Sequence, residues 1–183
     1  MAWTAPKTDF AAGNILNAAQ MNAIGSNLLA GSAAACRVVR TTNQTGYTSL
    51  SGINFESASA SGGYQTETMW VIGDPSKITV PYDGIYLVAF RAYLTGAATI
   101  TSANGAIAKN ADPAVTTTVV ATSAATSTTA SFVSLTTTLA LSAGDYLRFG
   151  VGPTGGSAYV INGAATEAFN QTSATVTWLG DTA

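Results

Sequence analysis

Nine acidic residues, seven basic residues and a single cysteine carry most of the reactive chemistry of this 183-residue chain, and histidine is absent. Without histidine the chain lacks the commonest general base, the Ser-His-Asp and Cys-His nucleophile systems, and every imidazole metal site. Cys36 can close no intrachain disulfide and no thiolate cluster, so it reads as a small packing residue. Asp83-Gly84 and Gly144-Asp145 could be taken for paired acids. Their setting is that of turns, where aspartate accepts local backbone hydrogen bonds and glycine allows positive φ. Asp74, Asp112 and Glu167 read as solvated loop acids, at spacings that match no calcium loop. The glycine-rich stretches lack a lysine or a strand–loop–helix context and cradle no phosphate. The expectation is a protein with no catalytic residues, no metal and no cofactor.

Charge is scarce. Charged residues make up 9% of the chain, against about a quarter in an ordinary soluble domain. A net charge of −2 without clustered lysine or arginine leaves no footprint for nucleic acid. No stretch approaches the ~20 apolar residues of a membrane-spanning helix, so no membrane insertion is expected. The opening MAWTAPKTDF lacks the basic and apolar regions of a signal peptide. A cytosolic origin is therefore expected, and the glycosylation-like Asn43-Gln44-Thr45 and Asn170-Gln171-Thr172 read as coincidence. Scarce charge with abundant threonine and valine suits sheets packed against other protein.

The elements that must position these residues are strands. Val80 to Leu94 (VPYDGIYLVAFRAYL) opens with a turn at Pro81-Tyr82-Asp83-Gly84. It continues with Ile85, Leu87 and Ala89 on one side and Tyr86, Val88 and Phe90 on the other. A strand with one solvated face alternates apolar and polar residues. This one does not, so both faces are expected to be covered, one by a facing sheet and the other by a neighbouring subunit. Ser131 to Leu141 does alternate, with Val133, Leu135, Leu139 and Leu141 against Ser134, Thr136 and Thr138. Tyr146 to Val151 puts Leu147, Phe149 and Val151 together.

Further strands are expected at Arg37 to Thr41, around Ile53 and Phe55, at Thr68 to Ile72, Lys77 to Val80, Thr116 to Thr122, Tyr159 to Asn162 and Ala174 to Leu179. Ala98 to Lys109 reads as a hairpin turning at Asn104-Gly105. Ala124 to Thr129 and Gly152 to Gly156 read as loops. About eight to ten regularly spaced strands indicate an all-β sandwich or barrel. Arg91 and Arg148 fall in apolar strands and read as interface or rim residues with a partner, while Trp70, Tyr159 and Trp178 read as core or interface.

The first 33 residues differ. Met1 to Asn14 is irregular, with Trp3, Pro6 and Phe10 as apolar anchors. Asn17 to Ala30 reads as a helix, with Asn17 and Gln20 as a capping pair, Met21, Ile24 and Leu28 on one face, and Gly31 as its stop. A helix this short is marginal alone and is expected to dock onto something.

Three segments together, KITVPYDGIYLVAFRAYL, SFVSLTTTLALSAGDYLRFGVG and ATVTWLGD, resemble the tumour-necrosis-factor-like jelly roll. The globular heads of complement subcomponent q are the branch they most resemble. The resemblance covers Arg37 to Gly180. It implies an antiparallel jelly-roll sandwich over 34–183 that forms tight trimers around a three-fold axis. It further implies that the face carrying Ile85, Leu87 and Ala89 looks toward that axis, with Ser134, Thr136 and Thr138 beside it. Those last three are small and polar where family members often place an aromatic.

The opening AWTAPKTDFAAGNILNAAQMNAIGSNLLA resembles those of tailed-bacteriophage virion proteins, with its Trp, its Pro-Lys-Thr-Asp-aromatic stretch and its Met-Asn-x-Ile helix. This resemblance implies an attachment segment over 1–33, seated in capsid or tail proteins through Trp3, Pro6, Phe10, Met21, Ile24 and Leu28. Together the two imply a homotrimeric knob on the virion surface, made in the host bacterial cytoplasm. It would be a decoration protein or a short tail or head spike, and could contact a host glycan or protein. The alternative is a free-standing lectin-like or cytokine-like binding module with no particle.

Overall fold

The computed structural model describes residues 34–47, 49–59, 62–96, 102–115, 119–125, 130–154, 159–161, 163 and 171–181. The segment 1–33, with its expected helix and the anchors Trp3, Pro6, Phe10, Met21, Ile24 and Leu28, lies outside the described residues, as do Glu167 and Asn170. The described chain forms twelve strands: β1 Ala35–Val39, β2 Gln44–Tyr47, β3 Ser51–Gly52, β4 Tyr64–Gln65, β5 Lys77–Thr79, β6 Gly84–Gly96, β7 Ser102–Lys109, β8 Val119–Ala125, β9 Ala130–Leu141, β10 Tyr146–Thr154, β11 Tyr159–Ile161 and β12 Ser173–Gly180.

Two antiparallel sheets face each other. In the first, β6 lies between β9 on one side and β12 followed by β11 on the other. β1 and β4 extend this sheet beyond β12, and β2 extends it beyond β11. In the second, β10 lies between β7 on one side and β5 and β3 on the other, and β8 pairs with β7. Alternation decides what fills the gap. β6 turns Tyr86, Val88, Phe90, Ala92 and Leu94 inward, and β10 answers with Leu147, Phe149 and Val151. Phe149 is the aromatic centre, with its ring centroid 5.3 Å from Phe90 and 5.8 Å from Phe55. Cys36 is fully buried in β1, and burial pushes its thiol up to about 12, which makes it a packing residue.

The turn before β6 is pinned by the motif's own residues. The Tyr86 hydroxyl donates to the carbonyl of Tyr82 at 2.9 Å and accepts from its amide at 3.3 Å. Gly84 has φ +143°, and a Cβ there would meet the Gly180 carbonyl oxygen at 2.3 Å, so only glycine fits. Asp145 acts in its own turn as expected, accepting from the amide of Ser142, whereas Asp83 accepts not from a local amide but from that of Ala143 in the turn before β10. Asp112 accepts from the amide of Ala114, and Asp74 pairs with Lys77 at 2.8 Å.

Several expected boundaries are corrected. Asn104-Gly105 is no hairpin turn: both residues lie inside the continuous strand β7, paired with Gly152 and Val151 of β10. Gly105 is there because a Cβ would meet Val133 Cγ1 at 2.3 Å, so the facing sheet occupies its side-chain space. Thr68 to Ile72 is not a strand. Met69 and Trp70 are buried core residues on an irregular segment, and residues 71–76 turn. Ile53 and Phe55 likewise belong to the core but to no strand. β8 runs through Ala124 and Ala125, and β10 through Gly152 to Thr154, where loops were expected.

Candidate subunit interface

β6 has a second face, and it is the one the core does not use. Ile85, Leu87, Ala89, Arg91 and Tyr93 point away from the second sheet, and Leu87 is 37% exposed. The antiparallel register sets their neighbours. On β9 these are Ala140, Thr138, Thr136, Ser134 and Phe132, in that order. On β12, Thr177 lies beside Leu87, Thr175 beside Ala89 and Ser173 beside Arg91. All six residues expected at an interface, Ile85, Leu87, Ala89, Ser134, Thr136 and Thr138, therefore share one patch of sheet.

The patch is wider than the sequence suggested. Thr175, Thr177 and Leu179 continue it across β12, and Ala35 and Arg37 continue it onto β1. Their signal is the alternation in ATVTWL, which predicts a strand but does not say what its outer face meets. Aromatics are also present, displaced along the strands. Tyr93 and Phe132 stack at 4.5 Å with rings 24° apart, and the Arg91 guanidinium sits 4.6 Å above Phe132. Four of the eight large hydrophobic side chains exposed among the described residues, Tyr64, Leu87, Phe132 and Leu179, lie on this sheet face. The face's strand residues carry two charges, Arg37 and Arg91, and no carboxylate. A surface of threonine, alanine, leucine and aromatics with so little charge resembles the core of a protein interface more than a solvated sheet.

No family model matches the sequence, and no curated protein does. Solved structures do. Eiger TNF from S. frugiperda aligns with a TM-score of 0.52 and 13% identity, over 82% of this chain and 94% of that one. The globular domain of zebrafish complement 1qA aligns with a TM-score of 0.53 and 12% identity, over 81% and 99%. Mouse APRIL aligns with a TM-score of 0.54 and 8% identity, over 78% and 97%. The fold is the tumour-necrosis-factor-like jelly roll. At these identities the likeness speaks for the fold alone.

Elsewhere on the jelly roll most of the remaining charged residues are engaged locally, but the buried Nε of Arg148 has no hydrogen-bond partner among the described residues. Arg148 on β10 lies 5.5 Å from the Tyr146 ring centroid, and Lys77 lies 5.4 Å from the same centroid. Asp145 bonds Lys109 at 2.7 Å and Asn110 at 2.6 Å. Burial would raise its carboxyl, but these partners and the Ser142 amide outweigh that and lower it to about 2. Trp70 and Trp178 are core residues. Among the described residues no three histidine, cysteine, aspartate or glutamate side chains gather as a metal site.

Proposed function

We propose that the protein is a homotrimeric structural protein on the surface of a tailed-bacteriophage virion, either a capsid decoration protein or a short spike. It works by binding and mechanical reinforcement, without turnover. The observation that carries the trimer is the low-charge outer face of β6, β9 and β12, with Leu87 at its centre. The virion role rests on the resemblance of residues 1–30 to virion-protein openings. Trp3, Pro6, Phe10, Met21, Ile24 and Leu28 are the proposed contacts to capsid or tail proteins. β1 begins beside the end of β12, with Ala35 paired to Thr177, so the attachment segment joins the jelly roll at the end that carries Asp83 and Asp145. An anchored molecule would turn its opposite end outward, toward any host glycan or protein.

Likeness to Eiger TNF, complement 1qA and APRIL favours a second reading, a free-standing binding module without a particle. Incorporation separates the two. Tagged full-length protein should copurify with particles from infected cells, and a chain lacking residues 1–33 should remain in the lysate as a folded trimer. Equal incorporation of both chains, or of neither, would contradict the virion reading.

A further inference from the structure

Arg91 is out of place on the face just described. It is a cation on a face whose β6, β9 and β12 residues are otherwise neutral. Burying an unpaired cation is strongly unfavourable, yet Arg91 lies two residues from Ala89 in the middle of the patch. Among the described residues it meets the Phe132 ring and no carboxylate. Intermolecular pairing with an acid of this chain has few candidates. Seven of the nine acids are described, the other two being Asp9 and Glu167. Six of the seven are engaged within the subunit: Glu56 with Arg40, Asp74 with Lys77, Asp145 with Lys109, Glu67 with the Tyr82 hydroxyl, and Asp83 and Asp112 with backbone amides. The seventh, Asp181, lies beyond the end of β12 remote from Ser173.

The register places the donors that an anion needs. Ser173, Arg91 and Ser134 are direct partners across β12, β6 and β9, forming one row on the outer face. Direct partners have Cα atoms about 5 Å apart, so a serine stands on each side of the Arg91 backbone, and the guanidinium itself leans over Phe132 on the β9 side. Stacking of Phe132 on Tyr93 gives Arg91 a fixed platform, which leaves its N–H edge available. We infer that Ser134, Arg91 and Ser173 form a site for a small tetrahedral oxyanion, phosphate or sulfate, held between subunits. The inference rests on the trimer reading above. Each subunit supplies one cation and two hydroxyls, and the anion supplies the countercharge that the face lacks.

The test uses full-length protein at constant ionic strength, comparing chloride with low-millimolar sulfate or inorganic phosphate, with native mass recorded in each. The expected result is a trimer whose melting temperature rises by roughly 3–6 °C with either oxyanion. R91M should trimerise without responding, because a packed apolar side chain removes the need for a counterion. Ser134→Ala with Ser173→Ala should require about tenfold more anion for the same rise. This pair of changes also serves as the test if R91M fails to assemble. A wild-type trimer indifferent to oxyanions would overturn the site and leave the trimer standing; if R91M were then less stable in every salt, a neighbour's carboxylate would be the partner. Equal responses of wild type and R91M would mark a general salting effect and would also overturn it. A monomer would instead remove the trimer reading itself.

Discussion

Arg40 is the most deeply buried charge among the described residues, with 5% of its side chain exposed. It survives there because its partners are complete. Its guanidinium donates to the carbonyl of Thr42, to Gln44, to the carbonyl of Asn54 and, at 2.9 Å, to Glu56. Glu56 in turn accepts from the amides and hydroxyls of Thr41 and Thr42. Burial alone would raise the Glu56 carboxyl, but these hydrogen bonds outweigh it and lower the pKa from 4.5 to about 2. A carboxyl depressed on folding adds stability above its unfolded pKa and loses it as pH falls through the folded one. Stability is therefore expected to hold steady from pH 8 to 5, where no histidine titrates, and to decline between about pH 4.5 and 2. Glu56→Gln should cost about 2 kcal/mol at pH 7 and flatten the acid decline, as measured by urea unfolding across pH. None of this was legible in the sequence, because Arg40 and Glu56 are separated by a chain reversal that no local pattern encodes. The Asp145–Ser142 bond was legible because the turn itself sets it, whereas the Asp83–Ala143 and Asp145–Lys109 contacts join segments far apart in sequence and were not.

At the scale of elements, the two sheets approach so closely that side-chain volume is rationed at particular positions. Gly105→Ala should destabilise the domain by about 1–3 kcal/mol through overpacking against Val133 and Leu135, with no change in turn geometry. A loss well below 1 kcal/mol in chemical denaturation would mean that the facing strand yields easily. Strands β6, β9, β10 and β12 could be read ahead of the structure because their alternation, or its absence, extends over many residues. Asn104-Gly105 misled because asparagine–glycine is a strong local turn signal. The true constraint is non-local, namely the presence of β9 above the glycine. Thr68 to Ile72 misled for a related reason: Trp70 is in the core as one of its two expected readings had it, with Met69 beside it, but both lie on an irregular segment folded over the core and not on a paired strand.

For the whole molecule, the interface face is the feature on which the account depends. Its six expected residues could be placed together from the family resemblance, and the register joins them. Phe132, Thr175 and Thr177 needed the register itself, since they lie on two strands far apart in sequence from β6 and from each other. Leu87→Lys should leave the fold intact, because the side chain is already part-exposed in the subunit. It should weaken association by about 2 kcal/mol or more per contact, seen as concentration-dependent dissociation without loss of β-sheet circular dichroism.

The most direct measurement is the native mass of the full-length protein near neutral pH, by light scattering or native mass spectrometry. A stable species of three chains, reduced to one by Leu87→Lys, is the predicted result. A monomer that persists at high concentration would contradict it, because the low-charge face around Leu87 would then have no subunit to cover it.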